Sequence, residues 1–398
     1  MNEQSHTPRG SGNFLALRAG SGWILSGLMF LLVVSLATLA TAAPKAPFKI
    51  LGKGAVLGDV DSGTIMFEQD GDARLEPASL TKVMTLYLIY ESLAKGELTL
   101  ETELPVSEKA WRMGGSKTFV KVGDKVRVED LVRGIAVQSG NDACIVVAEY
   151  LAGSEEGFAE LMNAKAQELG LEYTHFTNAT GMPAEDHYTT PRDMFVLASS
   201  LIRDFPQFSH YSREKQYTFN GIRQYNRNRL LWRDPSVTGL KTGHTRAAGY
   251  CLIATNEKDE QRLAAVVMGA RNSKDREEEA LRLLRYGNRM FETVRLFGAG
   301  ETVRTIRVWK GEQEEVTGRL AEPLVVTVPR KERGSLEVGI LYEDPLMAPL
   351  AEGQPIGTLV VKLGEEELMR KPVLADTAVP AGGIVRNMVD SVRLYLGW

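Results

Sequence analysis

The sequence predicts an α/β protein of the α+β kind: an antiparallel sheet flanked by helices, followed by a small all-β domain. Three observations lead there. Helical patterns cluster between an early hairpin and two late strands, which points to one sheet carrying helices on its faces. After Gly298-Ala299-Gly300 the composition shifts to short β-rich runs broken by Pro and Gly. With 398 residues, 43% hydrophobic and 25% charged, the chain has ordinary globular composition and room for two or three domains of roughly 150 residues.

The elements follow in order. Trp23–Ala43 carries no charge, follows Arg9 and Arg18, and ends in Ala40-Thr41-Ala42-Ala43. A basic region, an apolar region and small terminal residues predict a secretory signal over residues 1–43, cleaved after Ala42 or Ala43. Uncleaved, the stretch is long enough to span a bilayer, for which about 20 residues suffice. Either way the rest of the chain is expected outside the cytoplasm. No cysteine lies near the cleavage site, which excludes a lipoprotein anchor.

A catalytic domain is expected over residues 44–300. Ala55–Val60 and Thr64–Gln69 flank Asp61-Ser62-Gly63 as a hairpin. Pro77-Ala78-Ser79 opens a helical pattern that runs to Lys95 and stops at Gly96. Further helices are predicted at Glu129–Gly134, Asp142–Leu151, Glu155–Leu169 and Pro191–Asp204. Gly249–Asn256 and Arg262–Ala270 read as strands joined by a charged turn, and Asp275–Phe297 as one long helix with an apolar stripe.

Residues 301–380 read as the small β domain, with runs at Val303–Trp309, Leu324–Val328, Leu336–Tyr342 and Gly357–Leu363. Residues 381–398 differ again. On a helical wheel Ile384, Val385, Met388, Val389, Val392, Tyr395, Leu396 and Trp398 fill one half. Arg386, Asn387, Asp390 and Arg393 fill the other, with Leu394 as the exception. The segment is too short and too charged to span a membrane. It fits a helix lying in the membrane interface, with docking on its own protein or on a second copy as the competing readings.

Net charge is −4 and no Lys/Arg run stands out, so nothing favours nucleic acid as a partner. The two cysteines, Cys144 and Cys251, sit in apolar runs and read as buried free thiols, although an exported protein could pair them. The five histidines show no metal-ligand spacing, and neither a metal nor an organic cofactor is expected. Asp186 and His187 could imitate part of a catalytic triad; a solvated loop pair is the preferred reading.

Three short motifs carry the chemistry: Ser79-Leu80-Thr81-Lys82, Ser139-Gly140-Asn141 and Lys241-Thr242-Gly243. A serine hydroxyl is a poor nucleophile until a base takes its proton. Ser79 and Lys82, three apart at a helix start, share a face, and the helix dipole favours negative charge developing at Ser79. Lys82 is a base only when neutral, which burial and a neighbouring cation such as Lys241 would promote. Gly243, on a predicted edge strand, would let a substrate backbone approach closely.

In this order the triple resembles the active-site serine enzymes that act on D-alanyl peptides and β-lactams. His244-Thr245, Ala110-Trp111 with Gly114-Gly115-Ser116, and Asn226-Arg227-Asn228 with Leu230-Leu231-Trp232 resemble the D-alanyl-D-alanine carboxypeptidases among the low-molecular-weight penicillin-binding proteins. The resemblance runs from about Ala46 to Trp398. It implies a β-lactamase/transpeptidase-like catalytic fold, and removal of the terminal D-alanine from peptidoglycan pentapeptide stems through a Ser79 acyl-enzyme that β-lactam antibiotics also form. It further implies that Ser139 relays a proton, that Asn141 binds the substrate backbone, and that Lys241 and Thr242 hold its carboxylate. The backbone N–H groups of Ser79 and His244 would form an oxyanion hole. Arg227 and Arg276 could help hold the carboxylate, or be surface arginines in ordinary salt bridges. The family's terminal anchor favours the membrane surface for the tail, at the outer face of the cytoplasmic membrane. The competing activities are a D,D-endopeptidase and a β-lactamase. A class A β-lactamase would carry a Glu-x-x-Leu-Asn signature; Glu168 and Leu171 approach it, but Glu172 breaks it.

Overall fold

In the computed structural model, which describes residues 48–397, the chain forms two compact units. One takes residues 48–294 together with Val325–Arg330; the other takes Arg295–Leu324 and the residues from Lys331 onward. The predicted signal segment and Trp398 lie outside the described residues.

The first unit is built on five antiparallel strands in the order Ile65–Gln69, Gly54–Asp59, Gln261–Ala270, Gly249–Lys258 and Val237–Thr245. Both faces are covered. Val56, Ala264, Val266 and Ile253 point into a core shared with the helices Lys82–Ala94, Asn141–Ala152 and Pro191–Asp204. Their sequence neighbours Ala55, Leu57, Ala265 and Leu252 point the other way, onto Leu281, Leu283 and Leu284 of the helix Ser273–Met290. The period-2 alternation of strand side chains therefore serves two apolar layers, which explains why these strands are apolar almost throughout.

The long helix expected over Asp275–Phe297 stops at Met290, and Phe291–Phe297 is a strand paired with Leu324–Pro329. The β-branched Thr293 and Val294 suit extended backbone. Thr293 also has a polar assignment there: its hydroxyl donates to the buried Asp59 Oδ2 at 2.6 Å and lies 3.0 Å from the Thr327 hydroxyl. Thr327 belongs to Leu324–Val328, expected in the β domain, yet Val325–Arg330 returns to the first unit.

The second unit holds a six-stranded sheet in the order Leu336–Leu341, Pro355–Leu363, Glu366–Ala375, Glu315–Arg319, Thr302–Trp309, Leu346–Met347. Ile306, Val308, Val316, Leu359, Val361 and Val373 are buried in it. The helix Ile384–Leu396 lies against this unit by its polar side. Asp390 is 1% exposed and accepts a hydrogen bond from the Lys310 backbone at 2.8 Å, and Arg386 pairs with Glu314 at 2.8 Å. Leu394, the exception on the wheel, is half-buried on the docked side. Ile384, Val385, Met388 and Tyr395 are 66–90% exposed. Among the described residues no helix is long and apolar enough to cross a membrane.

Candidate active site

Ser79 lies in a single 3-10 turn, Ala78–Thr81, that leads into the helix Lys82–Ala94. With three residues per turn, such a turn places positions i and i+3 directly above one another. Lys82 Nζ accordingly donates to Ser79 Oγ at 2.9 Å, and to the Thr180 carbonyl at 2.5 Å. Ala78 adopts φ +47, a left-handed conformation unfavourable for a residue with a side chain, directly before the nucleophile.

Lys82 is completely buried. Burial pushes its pKa down from the ordinary value to about 8, and the Arg227 guanidinium adds to the shift. Burial first, then the Lys82 and Arg227 cations, hold the Lys241 ammonium well below its usual value. Repulsion between two ammonium groups is mutual, so the two lysines titrate as a pair.

The second motif enters from a π-helical turn, Gly134–Gln138, that ends in Ser139 at φ +66. Such turns recur at functional sites because they displace one residue from a helix. Here the displacement brings Ser139 Oγ to 2.9 Å from Lys241 Nζ. Gly140 is required by close approach: a Cβ there would sit 2.0 Å from Thr118 Oγ1. Asn141 opens the next helix, and its Nδ2 donates to the Gly114 carbonyl at 2.8 Å.

Lys241-Thr242-Gly243 lies on Val237–Thr245, the edge strand of the sheet. A Cβ on Gly243 would come within 3.1 Å of Ser79 N, so the glycine brings the strand against the nucleophile's own N–H. His244 is exposed and its ring lies 4.0 Å from that of Tyr250.

Ser79, Ser139, Thr242, Gly243, His244, Arg227 and Arg276 line one open cleft of about 650 Å³. Lys82, Lys241 and Asn141 stand behind its walls, buried. Arg276 is not a surface arginine: it is 6% exposed and donates to the Gly243 and Cys251 carbonyls at 3.3 and 3.4 Å. Arg227 Nε donates to the Gln138 carbonyl at 3.1 Å. Among the described residues no Asp or Glu lines the cleft, and Glu168 is exposed and paired with Lys165.

Three contributors were missed. The Thr180 carbonyl holds Lys82 from behind; its loop is an Asx turn in which Asn178 Oδ1 accepts from the N–H groups of Thr180 and Gly181, and the Asn-Ala-Thr-Gly run was its signal. Asp142 is 1% exposed and accepts from the N–H groups of Thr118, Phe119 and Val120, fixing the loop whose Gly115 and Ser116 line the cleft. His187, expected as solvated, is 4% exposed; its Nε2 lies 2.8 Å from Thr81 Oγ1 and its Nδ1 accepts from Thr177 N. Cys144 and Cys251 are buried and unpaired.

Comparison with known proteins places this geometry. A family model described as D-alanyl-D-alanine carboxypeptidase matches residues 40–272, and one described as Penicillin-binding protein 5, C-terminal domain, matches residues 291–381. D-alanyl-D-alanine carboxypeptidase DacC of Escherichia coli (strain K12) is 40% identical over 347 residues, covering 85% of this chain and 87% of its own. DacA of the same strain is 37% identical over 364 residues, covering 89% and 90%. The crystal structure of penicillin binding protein 5 from Haemophilus influenzae matches with a TM-score of 0.80 and 36% identity, over 85% of this chain and 100% of that one.

Proposed function

The chain belongs to the D-alanyl-D-alanine carboxypeptidase family of serine peptidases, and from that premise we infer that Ser79 is its nucleophile and Lys82 the base that activates it. The enzyme releases the terminal D-alanine of peptidoglycan stem peptides. One observation carries the reading of the site: a fully buried lysine with a pKa lowered to about 8 stands 2.9 Å from the hydroxyl of a half-buried serine in a cleft.

Neutral Lys82 takes the Ser79 proton as Oγ attacks the carbonyl carbon of the D-Ala-D-Ala amide. The oxygen of the tetrahedral intermediate faces the N–H groups of Ser79 and His244. Ser139, hydrogen-bonded to Lys241, hands its proton to the departing amine as the C–N bond breaks and D-alanine leaves, and takes a replacement from the Lys82 ammonium, which becomes neutral again. Water then attacks the ester, giving a proton to Lys82, and Lys82 returns that proton to Ser79 Oγ as the ester C–O bond breaks. Lys241 and Thr242 hold the terminal carboxylate, assisted by Arg227 and Arg276, while Asn141 orients the peptide backbone. The absence of a carboxylate among the described cleft-lining residues favours this over a β-lactamase that deacylates with a glutamate. Penicillin followed by a peptide digest and mass spectrometry tests the assignment. The adduct is expected on Ser79; an adduct on Ser139, or none on folded protein, would overturn it.

The domain reading, with catalysis in residues 44–300, a β domain in 301–380 and an anchor in 381–398, belongs to the same proposal. So do export through residues 1–43 and peripheral attachment at the outer face of the cytoplasmic membrane. What supports the anchor is the division of the last helix: its polar side docks on the β unit and its apolar side is left exposed.

A further inference from the structure

Lys82 Nζ meets two groups, the Ser79 hydroxyl at 2.9 Å and the Thr180 carbonyl at 2.5 Å. A carbonyl accepts hydrogen bonds and cannot donate. With one N–H of neutral Lys82 committed to Thr180, its lone pair is left to face the Ser79 hydroxyl, where base catalysis needs it. The position of one backbone carbonyl therefore decides how Lys82 is aimed.

That carbonyl belongs to the loop 177–182, which is pressed onto the turn carrying the nucleophile. A Cβ on Gly181 would stand 1.8 Å from the Ala78 carbonyl, and its φ of +80 suits glycine. One helical turn on, Thr85 Oγ1 donates to the Ala179 carbonyl at 2.7 Å. His187 ties the two segments through its ring. Thr177 N donates to Nδ1 at 3.0 Å, so the ring hydrogen lies on Nε2, which donates to Thr81 Oγ1 at 2.8 Å. The imidazole is 4% exposed, packs edge-on to Phe176 and is not one of the cleft-lining residues.

We propose that His187 is a positioning residue for acylation: it braces the loop 177–182 against the turn Ala78–Thr81, so that the Thr180 carbonyl aims Lys82 at Ser79. The proposal rests on the reading of Ser79 as nucleophile and Lys82 as base. The brace works through hydrogen bonds and not through charge. With its pKa lowered to about 4, chiefly by burial, His187 is neutral where Lys82 titrates, so replacing it removes no charge. The charged and titratable groups that face Lys82 are Cys144, Asp142, Arg227 and Lys241, and those that face His187 are His175 and Lys82. All of them stay in place in the variants below.

The test is the second-order rate constant for penicillin adduct formation on Ser79 of the mature enzyme. It is followed by mass spectrometry between about pH 6 and pH 10, a range that brackets the Lys82 pKa. His187→Leu removes both ring bonds, Thr81→Val removes the acceptor at nearly constant shape, and His187→Gln retains one donor and one acceptor. In His187→Leu and Thr81→Val the maximal rate constant should fall roughly ten- to hundred-fold, as a misplacement of about 1 Å does. The half-maximal pH should fall by about 0.5–1 unit, because a carbonyl bonds an ammonium more strongly than an amine. His187→Gln should lie closer to the wild type than to His187→Leu in both readings. The His187→Leu, Thr81→Val double variant should match the slower single one, since the two changes break a shared bond. Circular dichroism checks folding, and Thr81→Val with His187→Gln carries the test where His187→Leu does not fold. Wild-type rates in the single variants, a half-maximal pH that stays or rises, effects that multiply in the double variant, or a His187→Gln rate as low as that of its partner single variant each overturn the brace. Wild-type protein that forms no Ser79 adduct, or acylates equally fast across this pH range, instead overturns the nucleophile or base reading and this proposal with it.

Discussion

Lys82 Nζ stands 2.9 Å from Ser79 Oγ, and the same distance separates Lys241 Nζ from Ser139 Oγ. Two buried lysines each hold one serine, and each is kept below its usual pKa by burial. Two ammonium groups sharing one dry site cannot both be charged at low cost, so their protons are coupled.

The first prediction concerns pH. A lysine with a pKa of about 8 is mostly protonated at pH 7 and mostly neutral at pH 9. Acylation of Ser79 by penicillin should therefore accelerate as pH rises through this range, on an apparent pKa belonging to the pair. Lys82→Arg should abolish acylation at every pH tested, because a guanidinium stays protonated. Adduct formation timed by mass spectrometry is the check; substantial acylation in Lys82→Arg would place the base elsewhere.

The second concerns Asp142. Its carboxylate accepts three consecutive N–H groups of the loop 118–120 and shields them from going unpaired. Asp142→Asn exchanges one acceptor oxygen for a donor. It should cost about 2–3 kcal/mol of stability, as lost charge-assisted bonds do when buried. KM should rise more than kcat falls, since the loop shapes the cleft and leaves the Ser79–Lys82 contact intact. Urea unfolding and steady-state kinetics measure the two effects.

How much of this was legible follows from where the information lies. The sheet and its helices carried local signals, such as apolar periodicity, Gly96 after a helix and Thr190-Pro191 before one. The three motifs named the side chains that meet at the serine. The end of the long helix was misjudged because Phe291, Val294 and Phe297 continue a 3.6-residue stripe as well as they fit a strand; pairing with Leu324–Pro329 decided it. The return of Val325–Arg330 to the first unit is a matter of topology that no local pattern records. The Thr180 carbonyl is backbone and carries no side-chain signature. His187 looked solvated because its polar neighbours hid the fold that buries it.

His187 supplies the third prediction. Burial, with lesser effects from His175 and Lys82, lowers its pKa from 6.5 to about 4. Between those values the unfolded chain binds the proton and the folded chain does not, so stability falls as pH falls from about 6.5 to 4. The loss is bounded at about 3 kcal/mol by the size of the shift. His187→Gln removes the titration. Urea unfolding at pH 7 and pH 4.5 should show a smaller acid-induced loss in the variant than in the wild type; equal losses would mean that other groups govern this window.

The last prediction concerns the terminal helix. Its polar side is occupied: Asp390 caps the Lys310 backbone and Arg386 pairs with Glu314. Ile384, Val385, Met388 and Tyr395 remain 66–90% exposed, an apolar face that water does not favour and its own domain does not cover. Each aliphatic side chain on that face contributes up to about 1.5–3 kcal/mol when fully buried, so a few of them entering the headgroup boundary are enough for reversible attachment. Mature protein, with residues 1–43 removed, should therefore sediment with lipid vesicles. The combined Ile384→Gln, Met388→Gln, Tyr395→Gln variant should stay in the supernatant, because it alters only the outward face and leaves Asp390 and Arg386 docked. Deleting residues 381–398 should also release the protein, and hydrolysis of small D-Ala-D-Ala peptides should continue in both forms, since every cleft-lining residue belongs to the other unit. Wild-type protein that remains in the supernatant, or a triple variant that sediments as fully as the wild type, would show that the exposed face does not meet lipid.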